Sequence, residues 1–256
     1  MRVLVTFAVE AEFAPWRRLR NFTTRKVGDI TVFEAQIGRA AVDFVVTGMG
    51  LENATAVTES VLSGAHDFCI ASGFAGGIRP AHNIGDVLVA DAVQFLGKAK
   101  TLQCGRGLVS NATQDGAIRV KLLLTADHVV RTPAEKSQLA PFADFVDMES
   151  FGVLSAAQKV GRPAVAVRVI SDNYDGEIPK DVELTMTKKG QIKIGRVVRY
   201  LSKYPHLLPA LIRVGRDSRT AADALAAFLE AHLKRISFFT HGWYPEGENL
   251  EQVAAR

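Results

Sequence analysis

Six short runs rich in β-branched residues, at residues 2–9, 42–47, 67–72, 86–93, 119–125 and 164–170, alternate with stretches of helical spacing. This alternation limits the fold more than any other feature. After the second run, Asn53 is a candidate helix N-cap ahead of an Ala54, Val57, Val61 stripe. Residues 149–160 repeat the pattern and stop at Gly161, with Pro163 beyond. The expected architecture is a three-layer α/β/α sandwich: a mixed, twisted central sheet covered on both faces. No internal repeat or Gly/Ser linker interrupts residues 1–187, which read as one α/β domain. Residues 188–256 read as a helical extension packed on or appended to it, with helical segments at 192–203, 207–214 and 220–236 and a turn-rich end at 241–247.

With 48% hydrophobic and 23% charged residues the chain is an ordinary globular sequence, and collagen-like or wholly disordered readings are excluded. Cys69 and Cys104 cannot build a disulfide framework, which fits a reducing, cytoplasmic compartment. The apolar run at residues 3–9 is closed by Glu10 and Glu12 and reads as a first strand, not a signal peptide. No run of 18 apolar residues is present. The net charge of +4 is unevenly spread: residues 188–219 hold nine Lys and Arg against Asp217 alone. That stretch is either a solvated helix face or a surface for an anionic membrane, a phosphate or an acidic partner. It lacks interleaved aromatic residues, so no nucleic acid is expected. The six histidines show no HxH or HExxH spacing and no GxSxG turn occurs, so neither a metal site nor a Ser/His/Asp hydrolase is expected.

Ligands in open α/β sheets gather beyond the carboxyl ends of strands. Five such places carry chemistry here: Glu10 and Glu12; Gly48-Met49-Gly50; Ser72-Gly73-Phe74-Ala75-Gly76-Gly77; Met148-Glu149; and Ser171-Asp172. Three carboxylates and two glycine-rich turns at one sheet edge suit acid/base chemistry on a polar small molecule. Taken singly, Asp172 is also a turn cap, Glu149 a first-turn acid, and the glycines turn formers.

In combination they say more. VDMES at residues 146–150 and RVISD at 168–172, with FAVEAE (7–12), TGMG (47–50), SGFAGG (72–77) and IGDVLVAD (84–91) in order, resemble the purine nucleoside phosphorylase / uridine phosphorylase superfamily. The nearest branch is the methylthioadenosine / S-adenosylhomocysteine nucleosidases. The resemblance implies an N-ribosyl hydrolase without a cofactor, acting on a purine nucleoside and assembling as a homo-oligomer. It implies that Asp172 protonates the base, Glu149 holds the ribose hydroxyls with Met148 against the sugar, and Glu12 activates water. Arg168 would stand near water and sugar, or be a strand-end arginine paired with a carboxylate. Val129 and Val130 would contact the base, or belong to a core strand. Met49 would line the pocket for the 5′ substituent, with Gly48, Gly73 and Phe74 in the adjoining turns.

Two departures bear on activity. Phe74 replaces a serine that contacts water in nucleosidases and phosphate in phosphorylases, and a phenyl ring can do neither. Residues 203–219 are foreign to the short nucleosidases and resemble the extension of hopanoid-associated members, which release adenine from an adenosylated triterpenoid. That basic, Leu-rich segment would contact a lipidic substrate or an anionic membrane, or serve packing. The alternatives to a nucleosidase are a phosphate-dependent phosphorylase and a non-catalytic nucleoside-binding or membrane-associated protein.

Overall fold

A computed structural model describes residues 1–63, 65–179 and 203–236. Residues 188–202, part of the expected basic extension, and the turn-rich end at 241–247 lie outside the described residues.

In chain order the elements are β1 (Arg2–Phe7), α1 (Glu10–Leu19), β2 (Thr23–Val27), β3 (Ile30–Ile37), β4 (Ala40–Val46), α2 (Leu51–Val61), β5 (Phe68–Gly77), β6 (Val87–Phe95), β7 (Thr101–Gln103), α3 (Arg106–Gln114), β8 (Ile118–Thr125), α4 (Pro133–Leu139), β9 (Phe145–Asp147), α5 (Ser150–Lys159), β10 (Ala164–Asp172) and, after a short 3-10 turn at Pro205–Leu207, α6 (Leu208–Ile236). The sheet is mixed, as the alternating pattern predicts. β1 runs parallel to β4 and β5, and β10 runs parallel to β5. The β2–β3–β4 meander is antiparallel and forms one edge.

The sheet also closes on itself. β5 pairs with β10, β10 with β6, β6 with β8, β8 with β9, and β9 returns to the far end of β5. The ten-residue β5 makes this possible: its first half holds β1 on one side, β10 runs along the other from Cys69 to Gly76, and its glycine-rich end, Gly76-Gly77, reaches β9. This closure brings the ends of β5, β9 and β10 together. A bulge in β10 between Ile170 and Asp172, opposite Gly76, re-aims the strand end there.

Two helix expectations need correction. Asn53 is not the cap of α2; the helix starts at Leu51 behind Gly50, and the Asn53 side-chain amide donates to the Met49 carbonyl at 2.8 Å. The segments expected at 207–214 and 220–236 are parts of one 29-residue helix, α6. It runs through Gly215, although glycine in a helix interior costs about 1 kcal/mol against alanine. Its second half supplies the reason. Ala221, Leu225, Ala226, Leu229, Leu233 and Ile236 are buried in the main core. His232 and Arg235 both pair with Asp115 after α3, at 2.6 and 2.9 Å, and Arg20 after α1 pairs with Glu230. Among the described residues no helix is long and apolar enough to cross a membrane.

Candidate active site

A cavity of about 730 Å³ opens where β1, β5, β9 and β10 end, and Glu12, Glu149 and Asp172 all line it. Met49, Phe74, Val129, Val130 and Met148 line it too. Gly48, Gly73 and Arg168 do not line it and stand behind it.

Glu12 is the third residue of α1. Its side chain turns back over the helix start, where free N–H groups point outward. Oε2 accepts the Ala8 and Val9 amides at 2.6 and 3.0 Å, and Oε1 accepts the Phe74 amide at 2.7 Å. Phe74 thus serves the site through its backbone, and its ring packs against the core without filling the cavity. Burial pushes the Glu12 carboxyl above its usual range, opposed by the charge of Arg168 and by these three amides. Gly73 has φ +140°, and a Cβ there would stand 2.6 Å from both Glu12 Oε1 and Arg168 Nη1. Only glycine fits, so its contribution is space.

Arg168 is fully buried on β10. Its Nε donates to Ser150 Oγ at 3.0 Å, Nη2 pairs with Asp147 at 2.8 Å, and Nη1 lies 3.6 Å from Glu149. Nη1 has no hydrogen-bond partner among the described residues. Asp147 in turn accepts from Thr125 Oγ1 on β8 at 2.7 Å and from the Ser150 amide that opens α5 at 3.0 Å. The VDMES segment is therefore a junction of β8, β9, β10 and α5. Its Asp147 and Ser150, to which the sequence reading assigned no role, are what hold Arg168.

Glu149 occupies the N-cap position of α5 without capping it by its side chain, and Oε1 instead accepts the Gly50 amide at 2.8 Å. Gly50, with φ +90°, is the glycine of the TGMG turn that reaches the site; Gly48 is only a turn former, bonded to the Ala8 carbonyl. Burial pushes Glu149 up to about 7, with Arg168 opposing and the charges of Asp147 and Glu12 adding to the rise. A carboxyl raised above its unfolded value takes up its proton more readily in the folded state, so stability falls as pH rises from about 4.5 to 7. Glu149→Gln removes that liability. Between pH 4.5 and pH 8 its stability relative to the parent protein should rise by roughly 3 kcal/mol. Denaturant unfolding at the two pH values measures this, and a pH-independent difference would contradict it.

Asp172 ends β10. Burial raises its carboxyl, opposed by Lys136, whose ammonium bonds Oδ2, and by the charge of Arg213. Sequence reading assigned no role to Lys136, which is buried on α4. The tail segment, expected to contact a lipidic substrate or an anionic membrane or to serve packing, contributes Leu211, Val214, Gly215, Ser218 and Ala222 of α6 to one wall of the cavity. Among the described residues no three His, Cys, Asp or Glu side chains converge to hold a metal ion.

Comparison with known proteins identifies the relatives of the chain and of its fold. A 5′-methylthioadenosine/S-adenosylhomocysteine nucleosidase of Actinobacillus succinogenes is 28% identical over 181 residues, 60% of this chain and 78% of that protein. The corresponding protein of Shewanella halifaxensis is 24% identical over 232 residues, 79% of this chain and 100% of its own. Among solved structures, the Neisseria meningitidis nucleosidase in complex with methylthio-immucillin-A shares the fold with a TM-score of 0.69 at 19% identity, covering 91% of this chain and 99% of that one. Futalosine hydrolase of Helicobacter pylori does so with 0.70 at 18%, covering 92% and 98%. Residues 2–202 match the family described as the phosphorylase superfamily, and the chain belongs to it.

Proposed function

We propose that the protein is an N-ribosyl hydrolase that cleaves the N-glycosidic bond of an adenine nucleoside carrying a 5′ substituent. The observation that carries this reading is the meeting of Glu12, Glu149 and Asp172 on one cavity, with Glu12 fixed by three backbone amides. Asp172 gives its proton to N7 of the base while the C1′–N9 electron pair passes to the ring, so adenine leaves neutral. Glu149 accepts from the ribose hydroxyls, Met148 packs on the sugar, and Val129 and Val130 contact the base. Water adds its oxygen to C1′ of the oxocarbenium-like sugar and gives its proton to Glu12, whose raised proton affinity suits a base. Solvent then returns the proton balance. Arg168, held behind the carboxylates, aims its unpartnered Nη1 at this region.

Water is favoured over phosphate by charge. Glu12, Glu149 and Asp147 cluster about Arg168, whose Nη2 already pairs with Asp147, while the cavity's lining arginines, Arg18, Arg213 and Arg219, come from α1 and α6. A phosphate dianion there meets like charge in a buried site, and a neutral water does not.

The wall of Leu211, Val214, Gly215, Ser218 and Ala222, facing Ala11, Ala14 and Pro15 of α1, supports an apolar 5′ substituent larger than methylthio; an adenosylated triterpenoid is one such substrate. Self-association, a cytoplasmic location and contact with an anionic membrane through residues 188–219 belong to the same proposal. Within the described part of that segment, Arg216 and Arg219 are well exposed on α6. The test is adenine release from adenosines bearing methylthio or long alkylthio groups. Both should react, and Gly215→Leu should lower the long-to-short ratio of kcat/KM by about tenfold, the scale of one misplaced apolar contact. Adenine release from neither substrate contradicts the activity; an unchanged ratio contradicts the assignment of the wall.

A further inference from the structure

We propose that Lys136 is a positioning residue for the general acid Asp172: it pins one carboxylate oxygen, leaves the other to carry the proton, and stabilises the negative charge left behind when that proton goes to the base. The inference rests on the reading of Asp172 as the acid.

Lys136 lies on α4, whose start is fixed by a capping box between Thr132 and Glu135 with Pro133 in the first turn. Its side chain is only 1% exposed, and lysine is almost never buried so completely without a partner. Three acceptors surround Nζ: Asp172 Oδ2, the Asn173 carbonyl and, at 2.9 Å, the Gly176 carbonyl. An ammonium has three donors and no acceptor, so these groups saturate it in the charged form. Two of the three lie in the segment that follows β10. Lys136 thereby fixes both the acid and the backbone beyond it.

The chemistry follows from the occupied oxygen. With Oδ2 held by an ammonium, Oδ1 is the site for the proton. As that proton moves to N7, charge grows on the carboxylate, and a cation already in place stabilises it without reorganisation. The same cation favours the ionised acid before reaction, so it also sets the pH at which the proton is lost. The other charged groups facing Asp172 are Arg213 on α6, which acts in the same direction, and Asp175 in the following segment, which opposes it. β5 offers only Gly76 at this point, and His128 and Glu177 stand in the cavity lining.

The experiment is the pH dependence of kcat/KM for adenine release by the full-length protein and its Lys136→Met, Lys136→Gln and Lys136→Arg variants, with melting temperatures read alongside. Activity that needs protonated Asp172 falls as pH rises through its pKa. An opposite charge at contact lowers a carboxyl by about 1–3 pH units. The alkaline limb should therefore move up by at least about one unit in the Met and Gln variants and return towards the parent position with Arg. The Gln variant retains a donor for the carbonyls and covers the case in which Met prevents folding. A limb that stays in place in the uncharged variants, whatever their melting temperatures, overturns the proposal. If Asp172→Asn is slow while the limb stays in place, only the role of Lys136 falls. If Asp172→Asn is fully active, the assigned acid and the role of Lys136 fall together.

Discussion

Adenine release by the Asp172→Asn variant is expected to run about 10²–10⁴-fold slower than by the parent protein, the usual worth of a positioned proton transfer. An amide can still donate a hydrogen bond to N7, so substrate binding should weaken little. It has no proton to lose, so the base departs as a poor leaving group. The loss should therefore appear in kcat, with KM changed far less. Because the change also leaves the Lys136 ammonium facing a neutral group, the variant's melting temperature should be read as well. A variant that is well folded and retains its turnover would show that another group, or none, protonates the base.

Arg168→Met is expected to have the largest effect on stability. The guanidinium is buried and pairs with Asp147 while facing Glu149. Removing one partner of a buried pair costs about 3–5 kcal/mol, because the other charge is left uncompensated in the interior. Activity should fall with it, since Asp147 and Glu149 lose the cation that orders them. Arg168→Lys should not restore either property. A single ammonium cannot span Ser150 Oγ and Asp147 while also presenting a free donor towards Glu149. Denaturant unfolding of both variants measures this, and a cost below about 1 kcal/mol for Arg168→Met would place the residue among ordinary surface ion pairs.

Much of this site was legible in sequence because its carboxylates stand where strands or short apolar runs end. Glu12 follows β1 and Asp172 closes β10, two strands parallel to β5, so that arrangement gathers them at one sheet edge, while Glu149 joins them because β9 pairs antiparallel with the far end of β5. The strands that were missed are the ones with weak signals. Thr23–Val27 alternates polar residues along an edge, although the two-residue turn Gly28-Asp29 before Ile30 is a hairpin signature. α1 was hidden because residues 3–9 read as one apolar run and Pro15 interrupts the helix that follows. Contributions to the site from outside these strand ends were not readable. Nothing in the pattern around Lys136 distinguishes a buried lysine from a solvated one on a short capped helix. Leu211 to Ala222 reach the cavity only because α6 folds back on α1 and β10, a consequence of apolar spacing at Leu225, Leu229 and Leu233 further along. The Arg168 network joins β8, β9, β10 and α5 by single hydrogen bonds, which leave no periodic trace.

The most direct test of water as the nucleophile is mass spectrometric analysis of both products from a 5′-substituted adenosine, with and without inorganic phosphate. Adenine and the free sugar should appear in equal amounts and at the same rate whether or not phosphate is present. A sugar 1-phosphate formed only when phosphate is added, with no adenine in its absence, would contradict the reading of Glu12 as a base acting on water.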